Sequence, residues 1–194
     1  MGAFFDKPKT EKISQHGEGY GIKFGVSAMQ GWRMEMEDAH VCSTEFKLKN
    51  WSFFGVFDGH AGSKVSQYCA DNLLACILQC LENDYGVKDD YSASEIEHAM
   101  HDGFIQMDSQ LLEQPQWKNG DDHSGTTAIV VMISPTHIIW ANCGDSRGLF
   151  CRSNELNFAT SDHKPVNVTE KTRIEKAGGT VTVSYTHLTL PTKA

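Results

Sequence analysis

The sequence predicts an α+β sandwich, in which strands both precede and follow a pair of helices. Strand-like apolar runs fall within residues 23–58 and 124–151, and two segments of helical periodicity lie between them. The later strands follow one another through short turns, so they are expected to be antiparallel. With 194 residues, 40% apolar, the chain can form one domain with a hydrophobic core, or most of one.

The first part of the chain predicts two short strands on either side of an acidic loop. Residues 1–21 are polar and glycine-rich, which favours a loop or a loosely held edge strand. Residues 23–29 and 39–46 alternate well enough to form strands. The loop between these strands brings one guanidinium among three carboxylates, namely Arg33, Glu35, Glu37 and Asp38.

The apolar run at 51–58 predicts a buried strand that ends in Asp58-Gly59-His60. A strand holds its last side chain more firmly than a loop does, so Asp58 suits a metal ligand or a catalytic acid. The alternative is structural, because Asp-Gly is a frequent turn dipeptide and Asp58 could cap the following helix. This stretch alone leaves both interpretations open.

Two helices are predicted next, and each carries a single apolar stripe. The first spans about Ser63–Leu81, and the second opens with Ser94 and Glu97, which match a capping box. Both stripes are expected to face the same core. They comprise Val65, Cys69, Leu73, Ile77 and Leu81 in the first helix and Ile96, Met100, Phe104, Met107 and Leu111 in the second.

The cysteines and histidines of these helices do not predict a zinc site. Cys76 and Cys80 lie at the edge of the first stripe, and no His or further Cys completes a zinc set, so core packing is the preferred interpretation. His98 and His101 lie off the second stripe and are expected to be solvated. All six cysteines are expected to be reduced, because no CxxC pair or secretory signal is present.

The second half of the chain predicts a loop at 115–123, followed by a meander of three antiparallel strands over 124–151. Gly144-Asp145-Ser146 forms the turn before the third strand. A short helix, Asn167–Ala177, is expected to be capped by Asn167 and to end at the glycine pair that follows it.

Composition limits the classes of partner. The formal net charge of −8, without a compensating basic cluster, argues against nucleic-acid binding, whereas an acidic protein can still concentrate cations. No apolar window approaches a membrane span, and the start lacks a signal-peptide core, so the chain is expected to be intracellular. Gly2 raises the question of myristoylation, although Asp6 replaces the usual Ser or Thr.

Four acidic side chains could converge on one cation site. Glu37 and Asp38 precede one strand, Asp58 ends the next, and Asp145 lies in a turn between two later strands. Carboxylates, a backbone carbonyl and water form a hard-cation site that suits Mg²⁺ or Mn²⁺. Two such cations about 3.5–4 Å apart can hold both oxygens of an in-line phosphoryl displacement.

Two further side chains suit a phosphoryl substrate at such a site. Arg33 lies in the acidic loop, and its planar guanidinium can bind a phosphate through two parallel hydrogen bonds. His60 lies two residues after Asp58 and could protonate a leaving alkoxide. The residues alone therefore favour metal-assisted phosphoryl transfer.

The same motifs resemble those of the magnesium/manganese-dependent serine/threonine protein phosphatases, the type 2C or PPM family, and within it the alpha/beta isoform branch. The matching stretches run in family order from residue 1 to about residue 180. They read MGAFFDKPK, SAMQGWRMEMEDAH, WSFFGVFDGHAG, SGTTA, NCGDSRG, DHKP and EKAGG. The resemblance implies two antiparallel sheets packed as a sandwich, flanked by helices, with a two-metal centre between the sheets.

The resemblance also implies the metal ligands. Asp58 should bridge two Mg²⁺ or Mn²⁺ ions, and the carbonyl of Gly59 should complete the coordination of one of them. Glu37 and Asp38 should hold metal-bound water. Asp145 matches the family aspartate that is linked to a weaker third ion.

By the same resemblance, Arg33 should bind the substrate phosphate and His60 should act as the general acid. A metal-bridged hydroxide would attack phosphorus directly in phosphoserine or phosphothreonine. The implied partners are phosphorylated proteins, and the chain should be a monomer of the cytoplasm and nucleus. The shared MGAF start makes Gly2 a candidate for myristoylation and so for peripheral membrane contact.

The resemblance stops near Thr182. We expect an N-terminal extension at 1–22, the first part of a phosphatase domain at 23–182, and a tail unlike the family at 183–194. The family motifs GxLAVSRALGD, DGxWD and DN, which complete the metal coordination, are absent from the sequence. An incomplete or misjoined transcript is the preferred explanation, and a short splice form and a diverged non-catalytic relative are the alternatives.

Three functions therefore compete. A longer natural product would be a phosphatase, while this chain, with few metal carboxylates, is expected to have little activity. A non-catalytic binding or regulatory module is the first alternative. A metal-dependent phosphohydrolase acting on small molecules is the second, because it would use the same site chemistry.

Overall fold

The computed structural model describes residues 4–182, and these form an α+β fold, as predicted. The strands are β1 (Phe4–Gly19), β2 (Ile22–Arg33), β3 (Ala39–Ser43), β4 (Ser52–Phe57), β5 (Gly59–His60), β6 (Gly125–Thr126), β7 (Ala128–Ile133), β8 (Ile138–Cys143), β9 (Leu149–Arg152) and β10 (Glu155–Ala159). The helices are α1 (Lys64–Tyr85), α2 (Ala93–Glu113), α3 (Pro115–Lys118) and α4 (Val168–Lys176).

A central antiparallel sheet, in the order β3-β4-β7-β8, carries the core. Side chains alternate between the faces of a strand, and Phe53 and Phe57 of β4 share one face with Val130 and Met132 of β7. These four side chains are at most 1% exposed and belong to one apolar cluster with residues of α1 and α2. The helices therefore cover this face.

The opposite face of the central sheet is partly covered by β2. The rings of Phe24 and Phe54 lie 5.4 Å apart between centroids, and an open cleft of about 480 Å³ separates β2 from the sheet. The strands thus form layers, although hydrogen bonding divides them into four separate antiparallel sheets.

The hairpin of β1 and β2 is longer than the sequence indicated. The edge-strand alternative for residues 1–21 is confirmed for the described part, whereas the expected strand at 23–29 is too short, since β2 reaches Arg33. The two strands are joined by Tyr20 and Gly21, which have φ values of 47° and 77°. Such positive φ angles suit a two-residue hairpin turn, and this turn fixes the register of both strands.

Both predicted helical stripes are confirmed. Every residue of the α1 stripe is at most 6% exposed, and the α2 stripe is buried at Ile96, Met100 and Met107 and partly buried at its other two positions. Cys76 and Cys80 are core residues, as expected, and burial raises the pKa of Cys76 to about 11. The two helices pack against each other as well as against the sheet.

The predicted capping box of α2 is wrong by two residues. Ser92, not Ser94, is the N-cap, and its hydroxyl accepts from the amide of Glu95 while the Glu95 carboxylate accepts from the amide of Ser92. With this cap, Tyr91 and Ile96 occupy the two positions of a hydrophobic staple, and both are buried. The earlier cap is therefore favoured by packing.

Three other expectations change in the second half. The predicted loop at 115–123 begins with one helical turn, α3. The third strand of the predicted meander pairs with β10 instead of β8. Asn167 is the N-cap position of α4, as predicted, but its amide donates to the carbonyl of Asp162 rather than capping the helix.

Within residues 4–182, no helix has both the length and the apolar character that crossing a membrane requires.

Candidate metal and phosphate site

Asp58 follows β4, the second strand of the central sheet, and its backbone is fixed by Thr127. The Asp58 amide donates to Thr127 Oγ1 over 3.3 Å, and the Thr127 amide donates to the Asp58 carbonyl over 2.9 Å. The N-cap of α1 is Ser63, so the interpretation of Asp58 as a helix cap is wrong. The Asp58 side chain is instead presented at the surface from a firmly held backbone.

Asp38 and Asp58 form a close pair of carboxylates. Asp38 ends the loop between β2 and β3, and β3 pairs with β4 so that Ala39 lies opposite Phe57. Burial and then the neighbouring Asp58 carboxylate raise the pKa of Asp38, while Arg33 lowers it more weakly. Two like charges held together in this way are stabilised by a bound cation.

Gly59 is required at its position by close packing against the acidic loop. A Cβ on this residue would lie 2.3 Å from the Glu37 carbonyl oxygen and 2.8 Å from Ser66 Oγ. The hydroxyl of Ser66 also donates to the Glu37 carbonyl, which joins α1 to the same loop. The backbone of Gly59 therefore lies beside the loop that carries Glu37 and Asp38.

The side chain of Glu37 already bonds to two protein donors. Its Oε1 accepts from the amide of Gly62 over 2.6 Å, and its Oε2 accepts from Nη2 of Arg33 over 3.1 Å. Only 13% of the Glu37 side chain is exposed, whereas 63% of the Arg33 side chain is exposed. Glu37 thus orients Arg33 beside the carboxylate pair and leaves most of its guanidinium accessible.

His60 lies at the surface in β5, directly opposite Gly125 of β6. A Cβ on Gly125 would lie 2.5 Å from His60 Nε2, so the imidazole packs against the glycine backbone. His60 also lines a cleft of about 860 Å³ between α1, α2 and the segment before β6. The ring is therefore held at the mouth of a space that could admit a substrate.

Asp145 is not brought into the carboxylate pair. It lies 3.7 Å from Nζ of Lys164, and about half of its side chain is exposed. Its turn reaches the site indirectly, because Ser146 Oγ lies 2.6 Å from Thr127 Oγ1, which bonds to the backbone of Asp58.

Across the described residues, no group of three or more His, Cys, Asp or Glu side chains is placed to hold a metal ion. The structure therefore brings together Asp58, Asp38 and Gly59, with Glu37 and Arg33 beside them. It places His60 next in the chain and leaves Asp145 apart. Gly2 lies outside the described residues.

Sequence reasoning missed the two hydroxyl residues that hold this site. Thr127 belongs to the quoted SGTTA stretch and Ser66 to the first turn of α1, but neither was given a role. The available signal was a threonine immediately before a buried β-branched strand, where a hydroxyl can bond to a neighbouring strand end.

Comparison with known proteins gives a consistent result. The sequence profile of the family described as protein phosphatase 2C matches residues 22–189. Protein phosphatase 1B of Rattus norvegicus is 48% identical over 191 residues, and protein phosphatase 1A of Homo sapiens is 47% identical over 187 residues. Each alignment covers 94% of this chain and 48% of the relative.

The chain therefore spans about half the length of the curated relatives it matches. Among solved structures, that of a C. elegans sex determining protein superimposes with a TM-score of 0.63 at 21% identity, covering 92% of this chain and 40% of the other. At this identity the likeness concerns the fold alone.

Proposed function

Since this chain belongs to the protein phosphatase 2C family, we propose that the site at the end of β4 serves the hydrolysis of phosphoserine and phosphothreonine in proteins. The observation that supports this function best is the close Asp38–Asp58 pair, with the guanidinium of Arg33 oriented beside it by Glu37. A cation site next to a phosphate-binding group is the arrangement that phosphoryl transfer requires.

The donors present fit Mg²⁺ or Mn²⁺. Asp58, Asp38 and the carbonyl of Gly59 offer oxygen alone, which hard divalent cations prefer, and the two carboxylates repel each other without a cation. Two ions, and a third at Asp145, are the stoichiometry we propose from the family resemblance. Bound there, the ions would supply Lewis-acid chemistry that activates water and polarises the phosphoryl group.

The protein residues would bind the substrate and move its proton. Arg33 forms one hydrogen bond to Glu37 and retains other N–H donors, which can grip two phosphate oxygens. His60 is exposed beside the cleft, where its imidazole can give a proton to the serine or threonine oxygen as the P–O bond breaks. Gly125 holds the ring in this position by packing against it.

A second function is favoured by the composition of the site. In residues 4–182 the structure assembles no set of three side-chain ligands, so this chain should hold divalent cations weakly and turn over slowly. A chain that keeps Arg33 and His60 but binds cations weakly would act as a binding or regulatory module for phosphoproteins.

The decisive experiment measures cation binding and turnover with the same protein. We expect calorimetric titration with Mn²⁺ to detect weak binding that Asp58→Asn removes and that Asp90→Asn, a matched change at an exposed loop aspartate, leaves unchanged. Manganese-dependent release of phosphate from a phosphopeptide, lost in the same variant, would support the phosphatase. Phosphopeptide binding without release would support the binding module.

The choice of substrate provides a further test. A phosphoprotein phosphatase should prefer a phosphoserine peptide to a nucleotide or a sugar phosphate. Equal rates on all three would instead indicate a small-molecule phosphohydrolase, and turnover that does not change with Asp58→Asn would contradict the proposed site.

We also propose phosphorylated proteins as partners, a monomeric state, and residence in the cytoplasm and nucleus with Gly2 acylation as a route to membranes. These proposals rest on the family resemblance. Labelling of cells with an alkyne analogue of myristate, with Gly2→Ala as the control, tests the lipid attachment.

A further inference from the structure

The N-terminus of α1 lacks the usual stabilising groups. Ser63 occupies the N-cap without a side-chain hydrogen bond, and the first turn contains no acidic residue. Lys64 is the first helical residue, and a positive charge is unfavourable there because of the helix dipole. A negative charge from elsewhere in the fold would offset both defects.

Asp122 supplies that charge from 58 residues further along the chain. Its Oδ2 lies 2.9 Å from Nζ of Lys64, and its side chain is only 13% exposed. Its Oδ1 accepts from the amide of Ser124 over 2.8 Å, from the hydroxyl of Ser124, and from Nε1 of Trp117 over 3.2 Å. One carboxylate thus joins α1, α3 and the segment that leads into β6.

The segment ordered by Asp122 packs directly on the loop that carries His60. A Cβ on Gly62 would lie 3.3 Å from Cβ of Ser124, and the residue after Ser124 is the glycine against which His60 packs. Gly62 in turn donates its amide to Glu37. Asp122 therefore lies one residue contact away from both the candidate general acid and the acidic loop.

The loop between β5 and α1 needs such support, because its backbone is unusual. Ala61 has a φ of 56° and Gly62 a φ of 123°. A non-glycine residue in the left-handed region persists only when its surroundings hold it there. The contacts of the loop are the short β5–β6 pairing on one side and α1 on the other, and Asp122 fixes both.

From these contacts we propose that Asp122 is a positioning residue, which holds residues 59–63 and hence His60 in place by joining Lys64 to the segment before β6. For catalysis the proposal rests on the phosphatase function proposed above. Hydrogen bonds from Ser124 and then Lys64 lower the pKa of Asp122, so its carboxylate stays ionised at neutral pH.

The first test needs no activity. Amide hydrogen exchange of Gly62, measured by NMR in the full 194-residue chain, should become at least about tenfold faster in Asp122→Asn, while the Val130 amide in β7 stays protected. Lys64→Met removes only an exposed ion pair, so it should accelerate Gly62 exchange by about two- to fivefold, and it serves where the first variant fails to fold. Asp121→Asn is the matched control.

An unchanged Gly62 exchange rate in both variants would overturn the proposal. So would an equal acceleration at Gly62 and Val130, because it would mean that Asp122 acts only on global stability.

The second test separates positioning from general loss of structure. General acid catalysis contributes about 10²–10⁴-fold when the leaving group is an alkoxide and much less when it is an acidic phenol. Asp122→Asn should therefore lower kcat on a phosphoserine peptide by at least about tenfold and on p-nitrophenyl phosphate by less than about threefold.

Equal losses on the two substrates would contradict a role through His60. If the unmodified chain releases no phosphate from either substrate, the phosphatase function fails, and the exchange experiment still decides whether Asp122 positions the loop.

Discussion

The crossing of α1 and α2 gives a quantitative prediction at Gly103. A Cβ on this residue would lie 2.5 Å from Cγ1 and 3.0 Å from Cα of Ile77, which is fully buried. Gly→Ala inside a helix gains about 1 kcal/mol from helix propensity. Overpacking costs about 1–3 kcal/mol, and the upper end applies because a backbone atom is among the contacts.

We therefore expect Gly103→Ala to lower the free energy of unfolding by about 2 kcal/mol, which corresponds to a fall in Tm of roughly 4–8 °C for a chain of this size. Urea denaturation followed by circular dichroism measures the change. Ser109→Ala, at an exposed position of the same helix, gains propensity without a clash and should be neutral or slightly stabilising.

A double-mutant cycle identifies the cause. Ile77→Ala alone should cost about 2–5 kcal/mol because it leaves a cavity. In that background Cγ1 is gone and the new methyl fills part of the cavity, so Gly103→Ala should become neutral or stabilising. A Gly103→Ala variant as stable as the unmodified chain, or one equally destabilising in both backgrounds, would refute the packing argument.

Three further predictions concern other parts of the molecule. Gly125→Ala should displace the imidazole of His60 and lower turnover of a phosphoserine peptide by at least about tenfold, with a smaller effect on stability because a side chain can move aside. Ser92→Ala should cost about 1 kcal/mol in urea denaturation, since it removes the cap of α2. Hydrogen bonds from Arg147 lower the pKa of Asp162, so the stability that its carboxylate confers is present above its usual pKa and lost as the pH falls through the lowered value.

Each of these predictions has a control. Ser94→Ala tests the cap that the sequence favoured and should be close to neutral, whereas a loss equal to that of Ser92→Ala would contradict the observed cap. Asp162→Asn should flatten the loss of stability between about pH 6 and about pH 3, and an unchanged slope would show that Asp162 is not responsible. For Gly125→Ala, an unchanged rate on the peptide would exclude a role for the His60–Gly125 contact.

The helices of this fold could be predicted well from sequence because their apolar residues repeat with a helical period. Ile77 and Ile96 are fully buried, and the stripes to which they belong were identified residue by residue. The cap of α2 could not be placed, because Ser92 and Ser94 each precede a glutamate by three residues. Only the burial of Tyr91 distinguishes them.

The strands were less predictable where neither face is deeply buried. In β1 most side chains are exposed, so hydrophobic alternation, which is the main sequence signal for a strand, is weak. The pairing of β9 with β10 depends on a turn at Ser153 and Asn154, whose positive φ values were not apparent from an Arg-Ser-Asn-Glu sequence.

The candidate site was predictable in its chemistry more than in its geometry. The oxygen-rich donors around Asp58 indicated a hard cation, and the structure does place Asp38 beside it. The distance of Asp145 from this pair could not be inferred, because it depends on how a turn from another hairpin packs against Thr127. The roles of metal ligand, phosphate binder and general acid remain predictions for the experiments above.

The hydrogen bonds between Asp58 and Thr127 also have a consequence for folding kinetics. They join residues 69 positions apart, whereas β1 and β2 are joined by a two-residue turn. Closing a loop of that length costs about 1.7 kcal/mol more than closing a ten-residue loop, unless α1 and α2 pair first and shorten it. The hairpin should therefore form within microseconds and the strand ends should meet late. Cation binding at Asp58 would then report the completion of folding, so its recovery after dilution from urea should lag behind the recovery of helical structure.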